Sequence, residues 1–124
     1  MILYSCTLPF SVSVNQLYGG GSNQQRFKSK KYEAWLKSCP KLRELNIDEP
    51  VSVEYIFTWP DNRARDLSNW IKCCEDYLVS QKVLADDNYK IVSKVLLRHE
   101  GINKEGPKVL IVIRSIQPHI PDKQ

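Results

Sequence analysis

Arg65-Asp66-Leu67-Ser68-Asn69-Trp70-Ile71-Lys72 brings an aspartate, an asparagine and a lysine close together, and Asp86-Asp87 follows one short segment later. Carboxylates that meet beside a lysine in a basic protein are a donor set for a divalent cation acting on a phosphodiester. Cleaving that ester needs a polarised phosphoryl oxygen, an activated water and a stabilised leaving oxygen. A partly hydrated magnesium ion held by carboxylates supplies much of this. A nearby ammonium group offsets charge on the five-coordinate state. Each acid also has a plain structural use. Asp66 stands where a helix N-cap would stand, and Asp86-Asp87 where a turn between helix and strand would.

A helix and the loop after it must bring these residues together. Leu67, Trp70, Ile71, Cys74 and Leu78 recur at helical spacing, which predicts a helix starting near Asp66 with those residues as its buried stripe. Asn69, Lys72 and Asp76 then share the opposite side. Residues 82–88 read as a loop carrying the acidic pair. Upstream, Val51, Val53, Tyr55, Phe57 and Trp59 alternate with their neighbours and predict a strand, turned at Pro60-Asp61-Asn62.

Residues 2–7 read as a short strand ended by Pro9. Residues 11–31 are polar, and Gly19-Gly20-Gly21 with Gln24-Gln25 predicts a mobile loop with a basic trailing edge. Ser29 is placed to cap a helix running to about Ser38, with Tyr32, Trp35 and Leu36 on one face. Pro40 stops or kinks it, and Leu42 and Leu45 are expected to add another turn. Residues 89–98 and 108–116 read as two strands joined by a turn through 101–106, the second rich in Val and Ile as a buried strand would be. Pro118, Pro121 and the charged residues after them predict a frayed end. The order strand, helix, strand, helix, strand, strand predicts one α+β domain over residues 1–124, a mixed sheet with helices packed on it.

The 124 residues suit one domain, and 42% apolar with 26% charged residues is a globular balance. No apolar run approaches the roughly 18 residues that span a bilayer. Met1-Ile2-Leu3-Tyr4-Ser5-Cys6 carries no basic region or cleavage site, so a cytoplasmic protein without a membrane partner is expected. The net charge of +4 is modest, but its distribution is informative. Arg26, Lys28, Lys30 and Lys31 cluster early, followed by Lys37, Lys41 and Arg43. Arg63 and Arg65 directly precede the acidic motif. A basic surface beside a carboxylate site is the electrostatic pattern of a nuclease; the alternative is a set of ordinary solvated faces. Cys6, Cys39, Cys73 and Cys74 lack metal-site spacing and lie far from His99 and His119, which predicts reduced thiols and no zinc. Adjacent Cys73 and Cys74 are expected on different sides of their helix.

Residues 60–92 resemble the signature of the RusA-type Holliday junction resolvases, small dimeric endonucleases common in phages and prophages. That pattern runs through a Pro-Asp turn with basic residues, Asp-Leu-Asp-Asn, a lysine, an aspartate one turn later, and Asp-Asp before the next strand. Here it stands as Pro60-Asp61, Arg63, Arg65, Asp66-Leu67-Ser68-Asn69, Lys72, Asp76 and Asp86-Asp87. Leu8-Pro9, Asn15, Tyr18 and the Tyr and Trp helix agree more loosely. The resemblance implies a RusA-like fold, with Asp66 and Asp87 as catalytic metal-binding carboxylates, Asp86 contributing and Lys72 assisting at the phosphate. It gives Asn69 and Asp76 supporting roles, and has Arg26, Lys28, Lys30, Lys31, Arg63 and Arg65 hold the DNA backbone. It implies magnesium, with manganese as a substitute, and a homodimer whose two-fold axis matches a four-way junction nicked in recombination and repair. One position departs from the pattern. Ser68 replaces the second aspartate, and a hydroxyl is a poorer magnesium ligand than a carboxylate. The alternative is therefore a protein of the same fold that binds branched DNA without cutting it. A blander reading is a small interaction protein whose acids are caps and turns.

Overall fold

The computed structural model describes residues 1–19 and 26–116. The centre of the Gly-rich loop and the Pro118–121 end lie outside the described residues. Over the rest, the chain forms strand β1 (Ile2–Pro9), a short hairpin of β2 (Tyr18–Gly19) and β3 (Phe27–Lys28), helix α1 (Lys30–Ser38) and strand β4 (Val51–Trp59). A 3-10 turn (Leu67–Trp70), helix α2 (Lys72–Ser80) and strands β5 (Val92–Ile102) and β6 (Lys108–Ser115) complete it. The four long strands make one mixed sheet in the order β1-β6-β4-β5, giving the expected α+β architecture. No helix among the described residues is long and apolar enough to cross a membrane.

β4 organises this sheet. It pairs parallel with β5 on one side and antiparallel with β6 on the other. The strands β5 and β6 are consecutive in the chain, yet β4 lies between them. The chain crosses the end of β4 at residues 103–107, where the Asn103 amide donates to the Trp59 carbonyl at 2.8 Å. A parallel pair needs a long crossover, and the 3-10 turn, α2 and the loop after it provide one.

The alternating residues of β4 build the core: Val51, Val53, Tyr55, Phe57 and Trp59 pack with Val109, Ile111 and Ile113 of β6 and with Tyr32, Trp35, Cys73, Cys74, Tyr77 and Leu78 of the helices. The other face of β4 is buried too, which alternation alone does not foretell. Ser52, Glu54 and Ile56 are covered there. Glu54 accepts from Arg114 at 2.8 Å and pairs with Arg98 at 3.7 Å, so long side chains from both neighbouring strands lie over the centre of the sheet.

Helix α1 starts as the sequence predicts. Ser29 is extended, its hydroxyl oxygen accepts from the Tyr32 amide at 3.0 Å, and the hydroxyl donates to the Gln16 carbonyl at 2.6 Å. Tyr32 and Trp35 are the buried residues of α1, and Trp35 meets Tyr77 edge to face at 5.8 Å.

One expectation needs correction here. Leu42 and Leu45 form no further helical turn. The Leu42 amide donates to the Gln81 side chain, and the amides of Leu45, Asn46 and Ile47 donate to the Lys82 and Val83 carbonyls. Those donors are satisfied across the fold, which removes the reason to wind locally. The adjacent Cys73 and Cys74 lie in α2, and neither sits on a side of the helix open to solvent. Both are fully buried, and the Val12 amide donates to the Cys73 sulfur at 3.4 Å. All four cysteines are free thiols. Burial raises Cys6 to about 11 and, with neighbouring thiols adding, Cys39 to about 12.

The Ser29 cap closes α1 and ties it to the preceding 3-10 turn (Val14–Gln16). Ser29→Ala is expected to lower unfolding free energy by about 1 kcal/mol, read from the shift in urea midpoint at unchanged slope.

Candidate functional site

The site is built outward from the turn that ends β4. Asp61 staples this turn: it accepts from the Arg63 amide at 3.0 Å and pairs with the Arg65 guanidinium at 2.9 Å. The amide bond from Arg63 is the main cause holding the Asp61 carboxyl below its usual value. The Arg65 head lies over three rings, 5.2 Å from the Trp59 centroid and 5.6 Å from those of Phe10 and Trp70. Its side chain is only 9% exposed. The expectation that Arg65 reaches a DNA backbone is therefore replaced. Its charge is spent on Asp61 and its plane on aromatic faces, so it braces the site from beneath.

Residue 66 starts no continuous helix. The chain enters a 3-10 turn at Asp66, reaches Ile71 at φ −102°, and only then winds into α2 from Lys72. Asp66 is extended. Its carbonyl accepts from the Asn69 amide at 3.0 Å, but its side chain makes no cap bond. Its carboxylate is exposed, as is Ser68, while Asn69 is half-buried. The N-cap use of the Asp66 side chain is thus not the one the structure adopts.

Lys72 opens α2 and reaches Asp76 one turn on, with 3.0 Å between Nζ and Oδ1. Hydrogen bonding to Asp76 raises the lysine above its usual value, and the charges of Asp76, Asp87 and Glu75 add to it. Half-buried Glu75 is raised chiefly by burial. The Lys72 charge opposes this, and the Asp87 and Asp76 charges reinforce it. Lys72, Glu75, Asp76 and Asp87 therefore share one electrostatic field. Glu75 escaped the reading of the sequence, although it lies three residues after Lys72, where a helix brings side chains to the same face.

The loop after α2 is anchored by Val83 and Leu84, both buried, whose amides donate to the Leu78 carbonyl at 2.9 and 3.3 Å. Lys82 takes a left-handed conformation at φ 62° to make the turn. Asp86 then folds onto its own loop. One carboxylate oxygen accepts from the Asp87 amide at 2.7 Å and the other from the Asn88 side chain at 3.0 Å. These bonds, the Asp87 amide first, lower its carboxyl.

The trio Asp66, Asp86 and Asp87 is accordingly not assembled as expected. Among the described residues, no three His, Cys, Asp or Glu side chains converge as a metal-holding group. Asp86 shapes the turn that presents Asp87. Of the expected acids, Asp87 and Asp76 are the two brought into the field of Lys72.

The basic residues Arg26, Lys28, Lys30 and Lys31 are exposed around the hairpin and the start of α1. Arg26 lies over the Tyr18 ring at 5.0 Å, and Lys31 donates to the Gln16 side-chain oxygen at 2.9 Å. Arg63 is 81% exposed, with a single long contact to Asp61 at 3.9 Å.

No protein-family model matches this chain, and no curated protein matches it in sequence.

Two measurements test the geometry. Arg65→Ala is expected to cost about 2 kcal/mol or more, because the cation–π contacts are largely desolvated. Arg65→Lys should recover little of it, since a compact ammonium cannot stack on three rings; urea unfolding reads both. Glu75, raised in the folded state, costs stability once pH climbs past its ordinary value of 4.5. Below that value both states are protonated and the cost vanishes. Glu75→Gln should therefore stabilise the protein near neutrality and lose that advantage in acid, measured as the difference in unfolding midpoint against pH.

Proposed function

We propose that this protein is a magnesium-dependent endonuclease that nicks branched DNA, above all four-way junctions, working as a homodimer in the cytoplasm. One observation carries the reading: the Lys72 ammonium, at the start of α2, is held at 3.0 Å by Asp76 in a chain that also exposes cations on the hairpin, α1 and Arg63. The likeness of residues 60–92 to the RusA-type signature supports it.

The donors fit magnesium in kind. Lys72 pairs with Asp76, and half-buried Glu75 is raised chiefly by burial, with the Asp87 and Asp76 charges adding to it against Lys72. Magnesium is a hard ion that keeps several waters and is commonly held by one or two carboxylates plus substrate phosphate oxygens, so a closed protein cage is not required. Asp87 and Asp66, both exposed, are the residues that would hold it; no third acid converges with them among the described residues, so substrate oxygens and water would complete the shell. When bound, the ion would polarise the phosphoryl oxygen and acidify a water. Lys72 offsets charge at the phosphate, and Asp76 holds the lysine in place. Asn69 supports the turn. Arg26, Lys28, Lys30, Lys31 and Arg63 attract the backbone, an attraction that weakens steeply with salt.

A second reading is favoured by exposed Ser68, which gives a hydroxyl where a third carboxylate would strengthen the site. In that case the protein binds junctions without cutting them.

A synthetic four-way junction with magnesium separates the two. Under the first reading the protein makes paired symmetrical nicks, and Asp87→Asn or Lys72→Ala slows them by about 100-fold while junction binding persists. Salt-sensitive binding without nicks, converted to cutting by Ser68→Asp, would select the second. Absence of salt-sensitive DNA binding would overturn both.

A further inference from the structure

A cleft of about 670 Å³ opens between the loop of residues 9–16, the outer side of α1 and the Arg63–Ala64–Arg65 approach to Trp70. We propose that it is a nucleobase pocket, which takes one unstacked base together with its adjoining phosphate. This deepens the proposed nucleic-acid function and rests on it, by naming the part of a branched strand that the protein would read.

The size is right for one nucleotide, since small-molecule sites commonly enclose 300–1,000 Å³ (about the volume of a drug-sized ligand). The walls are aromatic and cationic. Phe10 and Trp70 stack on each other at 5.2 Å with 30° between planes, and both border the cleft. Any base has a π-face for such a platform. Lys31, Arg63 and Arg65 are the charged residues among the described residues lining the cleft, and none of the lining residues is acidic. In a chain with 14 acidic residues, that selects an anion with an aromatic body. Arg65 is engaged by Asp61 at 2.9 Å, so Lys31, bonded to the neutral Gln16 amide, and Arg63, 81% exposed with a long 3.9 Å contact to Asp61, are the cations better placed to meet a phosphate.

One buried hydroxyl lies in the wall of this cleft. Ser11 is 2% exposed and borders this cleft. Its hydroxyl is the one buried side-chain polar atom among the described residues that lacks a hydrogen-bond partner. A buried unpaired hydroxyl is costly, and rotation of the Ser11 side chain toward the cleft would let it meet a donor or acceptor on a base edge. Asn15 and Gln16 add amide groups nearby.

A base stacked in a duplex cannot enter such a cleft, whereas a base freed at a branch point can, and unpaired bases are the least costly to extrude. The pocket would therefore favour branch points over continuous duplex without reading sequence.

Two of the three tryptophans, Trp35 and Trp70, line the cleft, so intrinsic fluorescence reports on it. The full-length protein is titrated, without metal, with a short single-stranded oligonucleotide, with a deoxynucleoside monophosphate, and with continuous duplex. Saturable quenching by the oligonucleotide is expected, weakened by about tenfold in Ala34→Phe, which narrows the mouth, and in Arg63→Ala, which removes a surface cation. Circular dichroism confirms that both variants fold. Stronger quenching by the oligonucleotide than by the monophosphate identifies a base within a strand; equal quenching identifies a free nucleotide in the same pocket. Quenching absent with both, no weaker in either variant, or as strong with duplex would overturn the proposal. Junction cleavage is scored separately. Cleavage that survives such a failure leaves the nuclease reading standing, and quenching without cleavage leaves the pocket standing.

Discussion

The guanidinium of Arg65 is the tie on which the functional end of this molecule depends. It joins three segments that are distant in sequence: Phe10 after β1, Trp59 at the end of β4 and Trp70 at the end of the 3-10 turn. Asp61 neutralises it at 2.9 Å. The rings also hold one another, since Trp59 stands edge to face with Phe10 at 5.6 Å and with Trp70 at 6.0 Å. A planar cation suits such a cage because it can donate at its edge while its faces lie on aromatic surfaces. The cage also orients the next residue. Neighbouring side chains of an extended segment point opposite ways, so with Arg65 turned inward, Asp66 is left outward and exposed.

Beyond the cage, two regions of opposite character meet at the start of α2. Trp70 borders a cleft lined by cations and aromatic rings. Two residues later, Lys72 begins the helix that carries Glu75 and Asp76 and feels the charge of Asp87. The Lys72–Asp76 pair keeps the ammonium from drifting, and the self-closed turn at Asp86 keeps Asp87 presented.

Much of the fold was legible because its causes are local. The Ser29 hydroxyl caps the helix that its position foretold, and α1 ends at Ser38 before Pro40. The alternation from Val51 to Trp59 became the central strand, and the Val and Ile run became buried β6. Where distant partners intervened, local reading failed. Leu42 to Ile47 stayed unwound because residues 81–83, just past α2, took up the amides of Leu42, Leu45, Asn46 and Ile47. The apparent single helix from residue 66 split at Ile71, since periodicity of apolar residues cannot tell a 3-10 turn feeding an α-helix from one continuous helix.

For the candidate site the division is similar. Sequence spacing determined that Lys72 and Asp76 would pair, because i and i+4 are neighbours on any helix. It also set the supply of cations around residues 26–31 and at Arg63. The turn that Asp86 closes was likewise local, since its carboxylate accepts from the next two residues; only the tertiary structure decided that Arg65 would turn inward onto three rings and that Asp87 would add its charge to Lys72 and Glu75. Those outcomes depend on burial and on charges brought close by the return of the chain after α2. The distance in space between residues far apart in the chain, which sets both burial and Coulomb energy, is the quantity a linear string does not contain.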